Sequence, residues 1–421
     1  MRRLARNTVL LLAGNLSQAG LGLLTGVILA RYLGATGFGQ YAFVMTTVSV
    51  FGLFVELGFN TFLTRDVARD RRRATRYLLG SLIAKLGLTI LTTIPYLLLV
   101  WGLGGHRDEQ VLTAMCAGPI LFLVIAFNAS FASMFRAFEA MGDLLLLNVA
   151  AAVSQVAGLF GLATAGYGVT ALVGWTVCVQ VGRLGASWLL FRRLIGRDKR
   201  DGHDESLPGE ASLIPFSLTL IKQAFPFGLA SIIITLYARA DILLLSFLAG
   251  DRAVGYYSAV YRFFDTLRMP PGAFLGAYLP VISRAGVERD RTGLIESCRT
   301  ARSWLLVYGT GCALVVALLA RPVVLWLYTE QFATSIPVLQ VLIWALVPSV
   351  ANDLTLHYFY AVGRERVAPT VMSLGLVVNV GLNLWLISRY GALGAAISML
   401  VSEWILCVVF WREGNRHDHP V

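Results

Sequence analysis

The sequence carries unusually little charge for its length. Only 14% of its 421 residues are Asp, Glu, Lys or Arg, whereas 57% are hydrophobic and the mean hydropathy is +0.70. A soluble domain typically carries about 25% charged residues, so this chain cannot cover a water-facing surface. The composition therefore excludes a soluble enzyme or a soluble binding domain and predicts a protein that lies mostly in lipid.

Motifs for metal, redox and nucleotide chemistry are also missing. The five cysteines are scattered singly, with no CxxC or Cys/His spacing of a metal or redox site. No GxxxxGK[ST] phosphate loop is present, so we expect no ATP hydrolysis by this chain. We therefore expect no metal, no cofactor and no catalytic residues.

What the chain does contain is a series of long apolar runs separated by short charged segments. A spanning helix needs roughly 20 apolar residues, and twelve such runs use nearly the whole chain. They lie at 8–30, 40–62, 77–101, 111–135, 144–164, 169–190, 219–248, 256–282, 302–320, 336–360, 368–388 and 392–411. The sequence predicts an all-α integral membrane protein of about 12 transmembrane helices.

The basic residues are concentrated in alternate gaps between these helices. The formal net charge is +11, but an excess spread in this way usually sets membrane orientation, so we expect no nucleic-acid partner. The rich gaps include Arg2, Arg3 and Arg6 before the first helix and the run 65–76 after the second. By the positive-inside rule the rich side is cytoplasmic, which places both termini there.

A short motif occurs once in each half of the chain. LGATGFGQYAF (33–43) corresponds to LAGDRAVGYYSAV (248–260). The matched pairs are Leu33 with Leu248, Gly39 with Gly255, and Tyr41 with Tyr257. Six helices is an even number, so both halves insert with the same orientation, as a parallel repeat about an axis along the membrane normal.

The longest hydrophilic stretch lies near the midpoint and divides the chain. It is charged and punctuated by Gly and Pro, as in FRRLIGRDKRDGHDESLPGEASLIP (191–215). The sequence therefore predicts an N-terminal six-helix bundle at 1–190 and a cytoplasmic linker at 191–218. A C-terminal six-helix bundle at 219–411 and a cytoplasmic tail at 412–421 follow.

A family resemblance is carried by several motifs in their order along the chain. ILARYLGATGFGQYAF (28–43), VELGFNTFLTRDVAR (55–69) and FRAFEAMGD (135–143) resemble the polysaccharide flippases of the multidrug/oligosaccharidyl-lipid/polysaccharide exporter superfamily. ADILLLSFLAGDRAVGYYSAVYRFFD (240–265) and PVISR (280–284) are similar to the seventh and eighth helices of that family. The resemblance implies a two-bundle fold like that of the multidrug and toxin exporters.

The same resemblance implies a function. The expected substrate is an oligosaccharide on an isoprenoid pyrophosphate, turned from the cytoplasmic to the outer leaflet by alternating access for O-antigen, capsule or exopolysaccharide assembly. The expected location is a bacterial or archaeal cytoplasmic (inner) membrane. The expected partners are membrane lipid and, from the same pathway, a polysaccharide polymerase and glycosyltransferases.

Two other functions stay open. An ion-coupled exporter of small cations predicts an acidic cavity, whereas the charge of the seventh and eighth helices is basic in excess. A membrane-embedded glycan polymerase or ligase needs a catalytic acid/base or a metal site, usually on a sizeable outward loop. The longest outward loops here are short, GLGGHRDEQ (102–110) and RPVVLWLYTEQFATS (321–335).

Charges within the predicted helices are candidate functional residues, because each costs at least ~2.5–3.5 kcal/mol at the bilayer centre. Around a loop at 249–255, Asp241 and Arg262 are predicted at matched depth on neighbouring helices, with Arg239 slightly deeper. Asp265 is one turn from both Arg262 and Arg268. These groups either neutralise one another and pin two helices together, or form an anion site for pyrophosphate, which Arg binds bidentately.

Other intramembrane charges carry weaker predictions. Lys85 and Arg183 either add positive charge to a substrate cavity or extend toward the cytoplasm. Asp353 and His357 lie one turn apart on the tenth helix and form either a packed polar pair or a proton-linked site. Glu403 lies in the twelfth helix with no partner that the sequence identifies.

One backbone feature of the eighth helix also bears on mechanism. Pro270 and Pro271 follow Arg268 directly and remove two backbone donors. They predict a kink or a break that serves either as a hinge or as a packing irregularity.

Overall fold

The computed structural model describes residues 2–105, 107–200, 213–287, 291–361, 363–364 and 367–415. Over these residues the chain is helical, with short turns and three 3₁₀ segments between the α-helices. The helices are α1 (Arg2–Glu56), α2 (Phe59–Arg69), α3 (Ala74–Leu103), α4 (Glu109–Cys116), α5 (Gly118–Ala137), α6 (Met141–Thr164), α7 (Val169–Arg200), α8 (Leu213–Val287), α9 (Arg291–Tyr328), α10 (Ser335–Leu342), α11 (Leu346–Ala361), α12 (Val367–Tyr390) and α13 (Ala392–Asn415).

Ten helical stretches in the described part of the chain are long and apolar enough to cross a membrane. Two of them, Gly20–Glu56 and Leu213–Gly276, each contain one break in the helical backbone. Counting the two sides of each break separately gives twelve membrane segments. The predicted all-α, multi-pass membrane fold is therefore confirmed.

Both breaks fall on a glycine with a backbone conformation that other residues rarely adopt. Gly34 has φ 65° and ψ −176°, and Gly250 has φ 80° and ψ 176°. The helix resumes at the next residue in each case, so the predicted loops at 31–39 and 249–255 are wrong. A single glycine breaks the helix here, and the residues that follow it contain no proline.

The positions of these two glycines also fix the register of the internal repeat. One sequence separation relates Gly34 to Gly250, Gly39 to Gly255 and Tyr41 to Tyr257. The same separation relates Leu33 to Ala249, so the predicted match of Leu33 with Leu248 is wrong by one residue.

The predicted break at Pro270 and Pro271 does not occur, because α8 keeps helical dihedrals through both residues. Pro271 has no N–H to donate to the carbonyl of Leu267, one turn earlier. The hydroxyl of Tyr308 donates to that carbonyl oxygen instead, at 3.0 Å. A neighbouring helix thus replaces the missing bond, which is how prolines are tolerated in spanning helices.

The chain divides into two compact units. Unit 1 comprises Met1–Ile28 and Val44–Ile232, and unit 2 comprises Leu29–Phe43 and Ile233–Val421. The core of unit 1 is rich in phenylalanine, with Phe59, Phe62, Phe131 and Phe135 buried. The core of unit 2 includes the buried aromatic residues Tyr257, Tyr328 and Phe332.

Parts of the predicted linker and tail lie outside the described residues. These parts are 201–212 of the predicted linker at 191–218, and 416–421 of the predicted tail at 412–421. The predicted bundle limits at 1–190 and 219–411 stay predictions.

Candidate functional site

Polar and charged side chains within the spanning helices gather in two places, one in each unit. We call the group in unit 1 the lysine cluster, consisting of Glu56, Asn60, Lys85, Ser133 and Arg136. We call the group in unit 2 the carboxylate cluster, consisting of Tyr237, Asp241, Tyr257, Arg268, Asn352, Asp353, Asn383 and Glu403.

The lysine cluster is built on the break between α1 and α2. Leu57 (φ 40°) and Gly58 (φ 78°) both have positive φ, which ends α1 and starts α2 in a new direction. Glu56 lies just before this break, and its Oε1 accepts a hydrogen bond from the backbone N–H of Asn60 at 2.8 Å. The carboxylate therefore caps the first turn of α2, where backbone donors lack partners within the helix.

Lys85 is fully buried against this carboxylate. Its Nζ donates to Glu56 Oε2 at 2.6 Å and to the carbonyl oxygen of Ala126 at 2.8 Å. The ring centroid of Phe59 lies 5.4 Å from Nζ. The side chain is thus held inside the protein by these contacts. An ion pair and a carbonyl offset the cost of burying this cation.

Arg136 joins the same cluster from the end of α5. Its Nη2 donates to Asn60 Oδ1 in a short hydrogen bond and contacts Ser133 Oγ at 3.4 Å. Ser133 Oγ in turn donates to Asn60 Oδ1 at 2.7 Å. Sequence reasoning counted Arg136 only as a residue of a cytoplasmic gap, because the run of apolar residues ends beside it.

Arg183 lies apart from the lysine cluster but in the same unit. Its Nη2 donates to Asn148 Oδ1 of α6 at 2.6 Å, while its Nε is buried without a hydrogen-bond partner. The guanidinium lines a cavity of about 620 Å³ between α6 and α7. Of Lys85, Arg136 and Arg183, only Lys85 forms an ion pair with a carboxylate in the described part of the chain, that of Glu56, so these intramembrane groups of unit 1 are positive in excess.

Asp241 is the centre of one half of the carboxylate cluster. Its side chain is buried and accepts hydrogen bonds from the hydroxyl of Tyr257 at 2.7 Å and from Asn383 Nδ2 at 2.6 Å. Asn383 Nδ2 also donates to Asn379 Oδ1, one turn away, at 2.9 Å. Sequence reasoning placed Arg262 opposite Asp241, but the turn at Gly250 is tighter than the predicted loop. The tighter turn brings Tyr257 to that place.

Glu403 is the centre of the other half. Its Oε1 accepts a hydrogen bond from the hydroxyl of Tyr237 at 3.1 Å, and its Oε2 accepts one from Asn352 Nδ2 at 2.7 Å. These bonds join α13 to α8 and α11. The sequence identified no partner for Glu403, because both donors come from distant parts of the chain and neither has an unusual motif.

Arg268 bonds to α11 rather than to its own helix. Both carboxylate oxygens of Asp353 accept from its Nη2, each at 2.8 Å. The predicted bond between Arg268 and Asp265 is thus replaced by one between helices. His357 Nδ1 bonds to the backbone carbonyl of Asp353 at 2.7 Å, while the Asp353 side chain bonds to Arg268.

The remaining predicted residues lie around Asp265. The carboxylate of Asp265 is within electrostatic reach of Arg239, Arg262 and Arg268. The guanidinium of Arg262 also lies 5.7 Å from the ring centroid of Phe38. Asp265 thus interacts with Arg239 as well as with Arg262 and Arg268, the two arginines of its own neighbouring turns.

The structure changes the charge balance expected around α8. The sequence predicted an excess of arginine there, with three arginines and two carboxylates. Helices α11 and α13 add Asp353 and Glu403, so Arg239, Arg262 and Arg268 are balanced by four carboxylates. Among the groups discussed, the positive excess therefore lies in unit 1.

The described residues contain no group of three or more His, Cys, Asp or Glu side chains that could hold a metal ion. The two clusters are instead networks of hydrogen bonds and ion pairs. Such networks can bind an anion or a monovalent cation and can move with the helices that carry them.

Similar structures have the same fold. An inward-facing multidrug resistance MATE family transporter of the MOP superfamily is 17% identical and has a TM-score of 0.76, over 95% of this chain and 94% of that one. The lipid II flippase MurJ in an inward closed conformation is 16% identical and has a TM-score of 0.67, over 95% and 86%. These likenesses confirm the exporter-like fold that the motifs imply.

Similar sequences include named flippases and transporters. Lipid III flippase of Escherichia coli (strain K12) is 25% identical over 435 residues, covering 97% of this chain and 99% of that protein. A Shigella dysenteriae protein named as an O-antigen transporter is 25% identical over 395 residues, covering 90% and 92%.

Two family models match the chain. The model described as lipid II flippase MurJ matches residues 213–419, and the model described as polysaccharide biosynthesis protein matches residues 4–285. The second match covers more than half of the chain and includes the motifs at 28–43, 55–69 and 135–143. The chain belongs to the polysaccharide biosynthesis protein family.

Proposed function

We propose that this protein moves an oligosaccharide linked to an isoprenoid pyrophosphate from the cytoplasmic to the outer leaflet, by alternating access. The product serves the assembly of a surface polysaccharide such as O-antigen, capsule or exopolysaccharide. The observation that carries the proposal is the positive excess among the intramembrane groups described in unit 1, where Lys85 pairs with Glu56 while Arg136 and Arg183 donate to the neutral side chains of Asn60 and Asn148. Family membership and the names of the relatives support it.

The physical reason is the chemistry of the substrate's head. A pyrophosphate carries negative charge through a medium in which a lone charge is costly. Guanidinium groups suit it, because they stay protonated and offer several donors in one plane to phosphate oxygens. Since Glu56 neutralises Lys85, Arg136 and Arg183 are the groups whose charge is available to an anion.

The proposed orientation places both termini in the cytoplasm, in a bacterial or archaeal cytoplasmic membrane. The support is the uneven distribution of arginine, which is rich in the segment 65–76 and poor in the outward gaps. In this orientation the protein receives its substrate from glycosyltransferases and delivers it to a polymerase. We propose no covalent step by this chain itself.

A complementation assay tests the function. The gene is expressed in a strain that lacks its own flippase but makes the lipid-linked oligosaccharide, with protein in the membrane quantified by an epitope tag. We expect surface polysaccharide to be restored and the intracellular lipid-linked precursor to fall. If the protein accumulates in the membrane of its own host's deletion strain and the precursor stays inside, the proposal is wrong.

The carboxylate cluster favours a second candidate function, export of small cations coupled to an ion. Asp241 and Glu403 are buried and bonded to neutral donors, so both are positioned to take up a proton or a cation. This function predicts resistance to cationic dyes on expression in a drug-sensitive strain. It also predicts loss of that resistance in Glu403→Gln but not in Arg183→Ala.

A further inference from the structure

The cavity between α6 and α7 has two chemically different parts. Most of its wall is apolar and built from small side chains, including Ala150, Ala151 and Gly158. Trp175 lines it near one end and packs across Gly158, with its Nε1 donating to the carbonyl oxygen of Ser154 at 3.1 Å. The charged part is the guanidinium of Arg183. A ligand that fits this cavity has an apolar chain and an anionic group.

Arg183 lies inside the apolar stretch of α7, which runs Val169–Gly196. At about 1.5 Å per residue, it is roughly 13 Å along the helix from Arg192, the next basic residue. The Nε of Arg183 is buried and has no hydrogen-bond partner, so the guanidinium has an unused donor.

Two kinds of lipid combine an apolar chain with a phosphate group: a resident phospholipid and the isoprenoid pyrophosphate of the proposed substrate. The proposed function favours the second, and competition between the two lipids in a binding experiment distinguishes them.

We propose that the α6–α7 cavity is a station for the isoprenoid pyrophosphate part of the substrate. The pyrophosphate accepts hydrogen bonds from Arg183, and the first isoprene units lie along the wall formed by Ala150, Ala151 and Gly158. The volume of about 620 Å³ is within the range of small-molecule pockets. The inference rests on the proposed flippase function and adds to it the part of the protein that recognises the lipid carrier.

A matched pair of glycines on α7 allows a sharp test. Gly182 lines the cavity and Gly185 does not, and a Cβ added at either position meets no atom within 4 Å. A side chain at either position thus starts in open space, but only Gly182→Leu places one in the cavity. Arg183→Ala removes the charge, and Arg183→Lys keeps the charge without the planar fork.

The probe is a photoreactive isoprenoid pyrophosphate without sugar, added to the full-length protein in nanodiscs. We expect it to label α6 and α7 in the wild type and in Gly185→Leu. Labelling should fall at least fivefold in Gly182→Leu and at least tenfold in Arg183→Ala, with Arg183→Lys between. Equal labelling of Gly182→Leu and Gly185→Leu would overturn the proposal. So would full competition by phosphatidylglycerol, because a resident lipid would then be the occupant.

A native cysteine gives a readout that needs no variant. Cys178 lines the cavity and is exposed, whereas Cys116 is exposed but lies at the end of α4. Isoprenoid pyrophosphate should slow alkylation of Cys178 by a membrane-permeable maleimide at least threefold and leave Cys116 unchanged. Equal rates at Cys178 with and without the probe count against the station.

Export measured in parallel separates the two proposals. If wild type, Gly182→Leu and Gly185→Leu all restore surface polysaccharide equally and bind the probe equally, the station is wrong and the flippase function stands. If the wild type binds the probe in the cavity but exports nothing in its own host's deletion strain, the flippase function is wrong and the lipid site stands.

Discussion

Gly39 and Gly255 hold equivalent places in the two copies of the repeat, and each lies against the backbone of the other copy. A Cβ on Gly39 would overlap the carbonyl oxygen of Asp251, and a Cβ on Gly255 would overlap that of Ala35. Ala35 and Asp251 are themselves equivalent, since each directly follows the glycine that breaks its helix. The contact is therefore reciprocal, as at an interface with two-fold symmetry.

This contact predicts that alanine is destabilising at either glycine. Gly39→Ala and Gly255→Ala should each lower stability by about 1–3 kcal/mol, the usual cost of overpacking. Gly22→Ala, before the break in α1, is the control, because a Cβ there meets nothing within 4 Å. Thermal unfolding of the purified variants in detergent measures whether Gly39→Ala and Gly255→Ala are less stable than Gly22→Ala. An effect of Gly39→Ala no larger than that of Gly22→Ala would contradict the reciprocal contact.

The double variant tests reciprocity itself. Both substitutions push apart the same two backbone segments. The loss of stability in the double variant should therefore be smaller than the sum of the losses in the two single variants. Full additivity would mean that the two glycines act in independent places.

A second prediction concerns the ion pair between Lys85 and Glu56. Lys85→Met leaves the carboxylate of Glu56 without its ion-pair partner and should destabilise the protein by about 1–3 kcal/mol. The pair Lys85→Met with Glu56→Gln should recover much of that loss, because no uncompensated charge remains. The measurement is a double-mutant cycle on thermal unfolding. A double variant no more stable than Lys85→Met alone would contradict this account of the pair.

A third prediction concerns Arg268 and Asp353, which join α8 to α11 through hydrogen bonds of 2.8 Å. Asp353→Ala and Arg268→Ala should each reduce export, because each leaves a charge within the membrane without its partner. The exchanged variant, Arg268→Asp with Asp353→Arg, should restore part of the activity in the complementation assay. No restoration, with normal protein levels, would indicate that one of the two residues has a role outside the pair.

Helix number and type were predictable because hydropathy and length act through the whole chain. The turns were not, since the residues after Gly34 and Gly250 look like loop residues yet form helix directly. Because of that difference the sequence predicted Arg262 as the neighbour of Asp241, whereas the structure has Tyr257 there. One glycine thus decided which side chains face each other along the hairpin.

Partners from distant helices were beyond sequence reasoning for a related reason. Glu403 bonds to Tyr237 and Asn352, and Lys85 bonds to Glu56. Polar residues at helical spacing show which face they share, but not which helix packs on that face. Within one helix the spacing sufficed, as for Asn379 and Asn383, which share a face and are bonded.

A fourth prediction compares two stacked arginines. The guanidinium carbon of Arg262 lies 5.7 Å from the ring centroid of Phe38. That of Arg389 lies 4.8 Å from the ring centroid of Trp385. If Arg262 binds pyrophosphate, Arg262→Ala loses a charge-assisted bond worth about 1.5–3 kcal/mol, so substrate binding falls tenfold or more. Arg262→Lys should rescue it only in part, and Arg389→Ala should bind normally. Full surface polysaccharide with Arg262→Ala would make this arginine structural.

The last prediction is the driving force. A pyrophosphate moves outward with negative charge, and the cell interior is negative, so the membrane potential pushes the substrate in the direction of export. One elementary charge moved through 100 mV is worth about 2.3 kcal/mol, and two net charges gain roughly twice that. A gain of about 4.6 kcal/mol corresponds to more than a thousandfold bias between the leaflets, at ~1.4 kcal/mol per tenfold.

In proteoliposomes, a potential set by potassium and valinomycin should therefore drive translocation of the lipid-linked oligosaccharide without a pH gradient, and reversing the potential should slow it. Arg183→Ala should lower the rate while keeping the dependence on potential, because the substrate still carries the charge. Transport that follows a pH gradient and ignores potential would contradict this account, and the carboxylates of Asp353 and Glu403 would become the groups to substitute next.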